Sequence, residues 1–185
     1  ITGVFGVNAE HHGGADDKFE FHDLFIDCGA KNKAELEKYI NIGDLAVYKR
    51  EPELLFNDRV AGRGLDNRTG AFIVAEVIRR LSQRSLNVGV YGVSTVNEET
   101  NMGGAFFAGA SLKPTMGIAV DVTFATDYPG INRKKHVEVE LEKGPVLAKG
   151  APINHNINLL LEASARRLQM NIQYELTPRR TGTDA

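Results

Sequence analysis

Two runs of this chain, residues 88–94 and 116–122, are apolar at consecutive positions rather than alternate ones. A strand of that kind is covered on both faces, as in parallel sheets flanked by helices. Helical periods surround the runs. Residues 69–80 gather Phe72, Ala75, Val77 and Ile78 on one side, with Arg79, Arg80 and Arg84 at the carboxyl end, where cations suit the helix dipole. Residues 103–110 predict a helix of small residues carrying Phe106 and Phe107, and residues 158–170 one with Leu161, Ala165 and Leu168 a turn apart. Residues 136–142 alternate, with Val137, Val139 and Leu141 on one face and Glu138, Glu140 and Glu142 on the other, which predicts a strand with one wet face. Residues 172–176 predict a last strand. The fold class expected is α/β, a mostly parallel or mixed sheet flanked by helices.

The first part of the chain has a different rhythm. Residues 1–7 predict a strand broken by Gly3 and Gly6, and residues 8–18 an exposed loop. Strands follow at 24–26 and 45–48, with a short helix at 31–39 between them. Short elements at this spacing predict a small β-rich domain over residues 1–53, ahead of an α/β domain over residues 54–185.

Composition narrows the function classes. Lys and Arg total 22 against 24 Asp and Glu, a formal charge of −2, so no basic excess points to nucleic acid or to a membrane surface. The one cysteine, Cys28, excludes a disulfide framework and a four-thiolate zinc site. A reducing, cytoplasmic setting is expected. The chain opens at Ile1 rather than Met, which predicts a processed product or an excerpt.

Chemistry should gather where the apolar runs end, because sites in α/β sheets form outside the carboxyl ends of the strands. The run 88–94 leads into Asn97-Glu98-Glu99, and the run 116–120 ends at Asp121. Glu99 and Asp121 are 22 residues apart, room for one helix and a return to a neighbouring strand. Asp66 precedes Glu98 by 32 residues, again one helix and one strand. Three loops at one sheet edge would then converge four carboxylates. Such a set needs cations to compensate it, and oxygen-rich donors suit divalent metals. Two metals can share a bridging carboxylate and activate a water between them. Neighbouring residues in extended backbone point opposite ways, so one of Glu98 and Glu99 can ligate while the other serves as general base. Blander roles stay open: Asp66 also fits a helix cap, and Asp121 a structural hydrogen bond. His11 and His12 read as solvated, and His136 and His155 as structural or capping residues. Ser94 and Cys28 lack a nucleophile's setting.

The segments G-L-D-N-R-T-G (64–70), E-E-T-N-M-G-G-A (98–105), D-V-T-F-A-T-D-Y-P-G (121–130) and G-T-D-A (182–185), in this order, resemble the tetrahedral (TET-type) aminopeptidases. That family includes glutamyl and deblocking aminopeptidases, FrvX-like proteins and members labelled endoglucanases. The phrase Ile26-Asp27-Cys28-Gly29-Ala30, followed by Ile42-Gly43-Asp44, resembles its small β domain. The resemblance implies a zinc-exopeptidase-like catalytic domain with an inserted β domain used in assembly. It also implies two divalent ions per subunit, zinc or cobalt, peptide substrates, and a homo-oligomer such as a dodecamer. Carried over by position, Asp66 would bridge the metals, Glu98 would be the general base, and Glu99 and Asp121 would be metal ligands. Asn67 and Asn101 depart from the commoner Asp and Gly. The family also supplies two histidine ligands that match no histidine here, which predicts an excerpt of a protein about twice this size. Two competing expectations stand beside the peptidase: a metal-independent glycosidase using two carboxylates, and an inactive fragment or assembly module.

Overall fold

A computed structural model describes residues 1–7, 20–132 and 135–184, and the chain divides into two compact units, Ile1–Arg63 and Gly64–Ala185. The expected loop at 8–18, with His11 and His12, lies outside the described residues.

In the first unit, strands β1 (Val4–Gly6) and β2 (Phe25–Asp27) pair antiparallel with Phe5 opposite Ile26. Gly6 has no side chain because the Phe25 ring occupies that space. The ring of Phe5 lies 5.5 Å from that of Tyr48, tilted by 41°. Helix α1 (Lys33–Leu36) is a single turn rather than the longer helix expected at 31–39. Asn32 caps it by accepting the Glu35 N–H at 3.0 Å. Strands β3 (Glu53–Leu54) and β4 (Val60–Ala61) form a hairpin around a 3₁₀ turn, Phe56–Asp58. Asn57 and Asp58 take left-handed backbone there, which short polar side chains tolerate. Among the described residues, 45–48 carry no strand ladder, and Leu45 is 94% exposed.

The second unit opens with α2 (Leu65–Leu81). Its first turn is irregular at Asp66 and Asn67, so the regular helix begins close to the expected start at 69. Glu76 accepts hydrogen bonds from Arg79 at 2.6 Å and Arg80 at 2.7 Å, and these, Arg79 first, hold its pKa down at about 2. Helix α3 (Glu98–Asn101) is one turn, and α4 (Gly103–Leu112) carries the small residues. Strands β5 (Val146–Lys149) and β6 (Gln173–Leu176) pair parallel, joined through α5 (His155–Arg167). Asn154 caps α5 by accepting the Asn156 and Ile157 N–H groups. The chain is therefore α/β.

The expected strands at 88–94, 116–122 and 136–142 carry no ladder among the described residues. The physical reasons differ. Residues 88–94 lie along α2, where Gly92 makes room for Ile78 and Val74, but no described backbone pairs with them and Val88 stays 64% exposed. Residues 136–142 are held by one backbone bond, Thr126 N–H to Val139 O at 2.6 Å, and by side chains in place of a ladder. The Thr126 hydroxyl accepts the Val139 N–H at 2.8 Å, and the Gln173 amide accepts from Glu140 N–H at 2.8 Å while donating to Glu140 O at 2.9 Å. Only Val139 and Ala165 are buried hydrophobic residues among those described. Leu168, expected on a core face, is 65% exposed.

Lys149 on β5 donates to Glu162 on α5 at 2.6 Å and sits 4.1 Å from the Tyr174 ring centroid. The Lys149 hydrogen bond holds Glu162 below the usual carboxylate range, and the same bond raises Lys149. A lowered folded pKa means stability that is present above the unfolded carboxylate pKa and drains away as pH falls through the folded one. Lys149 behaves oppositely: its contribution is full below the ordinary lysine range and is lost only above it. Glu162→Gln is thus expected to lower the unfolding temperature at neutral pH, and the gap to wild type should close in strong acid. Thermal melts at pH 7 and in strong acid check this.

Candidate active site

Asp66 stands in the irregular first turn of α2, after Gly64, whose φ of +71° a side chain would strain. The peptide joining Asp66 to Asn67 is cis. Asn67 then acts as a clasp. Its Nδ2 donates to Val120 O at 2.8 Å and its Oδ1 accepts the Gly70 N–H at 2.7 Å. The start of α2 is thereby tied to the end of the 116–120 run, next to Asp121. Gly70 is buried beneath the clasp, and a Cβ there would meet Val120 O at 2.5 Å as well as the Asn67 amide. Gly70→Ala is expected to cost about 2 kcal/mol in stability, by overpacking against rigid backbone. Denaturant unfolding of the two forms measures it.

Glu98 and Glu99 open α3, behind Asn97, whose backbone is left-handed. Asn97 O receives the Thr100, Asn101 and Met102 N–H groups, and Met102, also left-handed, turns the chain into α4. The Gly104 N–H then reaches back to Val96 O at 3.0 Å. Asn101, where the family pattern has Gly, accepts the Gly103 N–H at 2.8 Å and so caps this turn.

One cleft of ≈ 680 Å³ is lined by Asp66, Glu98, Glu99 and Asp121 together. A fifth acid, Asp184, joins them. Its Oδ2 accepts the Thr95 hydroxyl at 2.5 Å, while its Oδ1 is buried without a hydrogen-bond partner among the described residues. Glu98 is half-buried, and loss of water raises its pKa first, followed by the charges of Asp121, Glu99, Asp184 and Asp66. Neither of the histidines of this unit, His136 and His155, lines the cleft. A second hollow of ≈ 410 Å³ shares Asp184 and includes Arg180, whose guanidinium lies 5.6 Å from the Phe106 ring centroid.

The donor chemistry fits a divalent cation. Hard carboxylate oxygens face one space, and the orphaned Asp184 Oδ1 lacks the positive partner that a buried carboxylate oxygen calls for. The side chains are not drawn together: among the described residues no three Asp, Glu, His or Cys groups are placed to hold an ion as they stand. Asp184 is the acid that sequence reasoning gave no role. Its signal was present in the G-T-D-A segment, but nothing in a lone Asp among Thr and Gly separates a site residue from a turn residue.

No described helix is long and apolar enough to cross a membrane. The chain is 32% identical over 191 residues to a lysyl aminopeptidase from Pyrococcus furiosus, covering 99% of this chain and 53% of the relative. It superposes on the TET aminopeptidase from the marine sediment archaeon Thaumarchaeota archaeon SCGC AB-539-E09 with a TM-score of 0.83 and 28% identity, over 99% of this chain and 53% of that one. The TET1 peptidase of Pyrococcus horikoshii, which can assemble into a tetrahedron or a large octahedral shell, gives a TM-score of 0.77 and 30% identity, over 92% of this chain and 51% of that one. The chain thus spans about half the length of the relatives it matches. The sequence profile of the M42 glutamyl aminopeptidases matches residues 1–185, and the chain belongs to that family.

Proposed function

We propose that the whole protein is a metal-dependent aminopeptidase, with Asp66, Glu99 and Asp121 as ligands to two divalent cations, zinc or cobalt, and Glu98 as general base. The observation that carries this reading is the convergence of these four acids, from three separate stretches of chain, on one cleft. Family membership and the aminopeptidase relatives support it.

The resemblance assigns Asp66 the bridging role and Glu99 and Asp121 one cation each, and all three line the cleft. When bound, the cations polarise the scissile carbonyl and lower the pKa of water at the site. Glu98 takes the water's proton and delivers it to the leaving amine. The Asn67 clasp keeps Asp66 and Asp121 adjacent.

Residues 1–53 are read as a β domain, inserted in the catalytic domain and used in homo-oligomer assembly. The assemblies formed by the Pyrococcus horikoshii peptidase and the exposure of Ile42 (98%) and Leu45 (94%) support this. A cytoplasmic setting agrees with the free thiol of Cys28.

The test is release of p-nitroaniline from aminoacyl-p-nitroanilides, free and N-acetylated, by the full protein. Turnover of the free forms alone is expected. Equal turnover of blocked substrates, or none of either, would contradict the reading.

A further inference from the structure

Helix α3 is a four-residue turn, too short to hold its own shape, and Asn97 gives it no side-chain cap. The position of Glu98 must therefore be set from outside the helix. Two bonds reach the residues just before it. One is the Gly104 N–H to Val96 O at 3.0 Å, from α4. The other runs from the Thr95 hydroxyl to Asp184 Oδ2, 89 residues away.

We propose that Asp184 is a positioning residue for the reaction, its carboxylate anchoring through Thr95 the turn that carries Glu98. The inference rests on the aminopeptidase reading above. Asp184 and Thr95 both line the cleft, so the anchor ends inside the site rather than on a distant surface. The Asp184 side chain has Thr95 as its described hydrogen-bond donor, and its second oxygen is buried. A hydrogen bond to a charged acceptor out of water is stronger than one at the surface. Breaking it frees the 95–97 segment on one side and leaves, among the described residues, the Gly104 tie. A small displacement of a general base costs rate far more than binding.

The test uses the full, metal-loaded protein with Thr95→Val, Thr95→Ser and Asp184→Asn. Thr95→Val is expected to lower kcat about 10-fold or more, with KM and metal content within about twofold of wild type. Thr95→Ser keeps the hydroxyl and should restore most of the loss, which a purely packing role would not do. Thr95→Val combined with Asp184→Asn should be no worse than the poorer single variant, because both act on one bond: Thr95→Val removes its donor, and Asp184→Asn exchanges its charged acceptor for a neutral amide oxygen. Hydrogen exchange over residues 96–101 should rise in Thr95→Val. Normal kcat in Thr95→Val, additive losses in the double variant, or unchanged exchange would each overturn the role. If Asp184→Asn fails to fold, the Thr95 pair and the exchange data decide. An inactive wild type would contradict the aminopeptidase reading instead, and exchange would still judge the anchor.

Discussion

Replacing Glu98 with Gln should lower kcat about 1,000-fold while leaving KM and bound metal unchanged, the expected range for removing a positioned general base. The substitution keeps size and hydrogen-bonding capacity and removes only the ability to accept a proton. It separates base from ligand, because Glu99→Gln should lose metal as well as turnover. The two roles follow the family resemblance, and the cleft agrees with them. Glu98 is half-buried and its pKa is pushed up by lost water and by Asp121, Glu99, Asp184 and Asp66, whereas Glu99 is exposed. Steady-state kinetics and elemental analysis of the two variants measure the split. Normal turnover by Glu98→Gln would remove Glu98 from the reaction.

Stripping divalent metal from the full protein should abolish turnover, and zinc or cobalt should restore it. A glycosidase working through two carboxylates would survive the same treatment. Stability should move too. At free metal of about 100 times the dissociation constant, an ion that binds only the folded form adds about 2.7 kcal/mol. The sign of the pH effect follows from Glu98. Its folded pKa is raised, so the folded state holds the extra proton and the metal-free protein loses stability as pH rises from the ordinary carboxylate range through the folded value. Metal should therefore stabilise most at neutral pH and least in acid. Melts with and without metal at several pH values measure this difference. A chelated protein with full activity would contradict the metal assignment.

The helices were legible because they carry a local period and local caps. Residues 69–80 follow their apolar stripe, and α5 starts where Asn154 caps it. The parallel pair was legible in part. The last strand is marked by its own residues, while its partner β5 is a short segment, Val146–Lys149, with no alternation to read. The runs at 88–94 and 116–122 are written as strands, yet a ladder needs neighbouring backbone as well as suitable side chains. The convergence of Asp66, Glu98, Glu99 and Asp121 on one cleft was expected from their spacing, which reports topology. Asp184 was not, because its role comes from a contact with Thr95 that no local pattern encodes. Asn67 was passed over as a mild departure from the family pattern, but its amide can both donate to Val120 O and accept from Gly70, and only the folded chain brings these partners together.

Anomalous scattering from crystals of the full, zinc-loaded protein bears most directly on the claim that acids from three stretches of chain meet around two cations. Two peaks are expected in the cleft, with Asp66 between them and Glu99 and Asp121 on opposite sides. Peaks elsewhere, or a cleft that stays empty at saturating zinc, would contradict it.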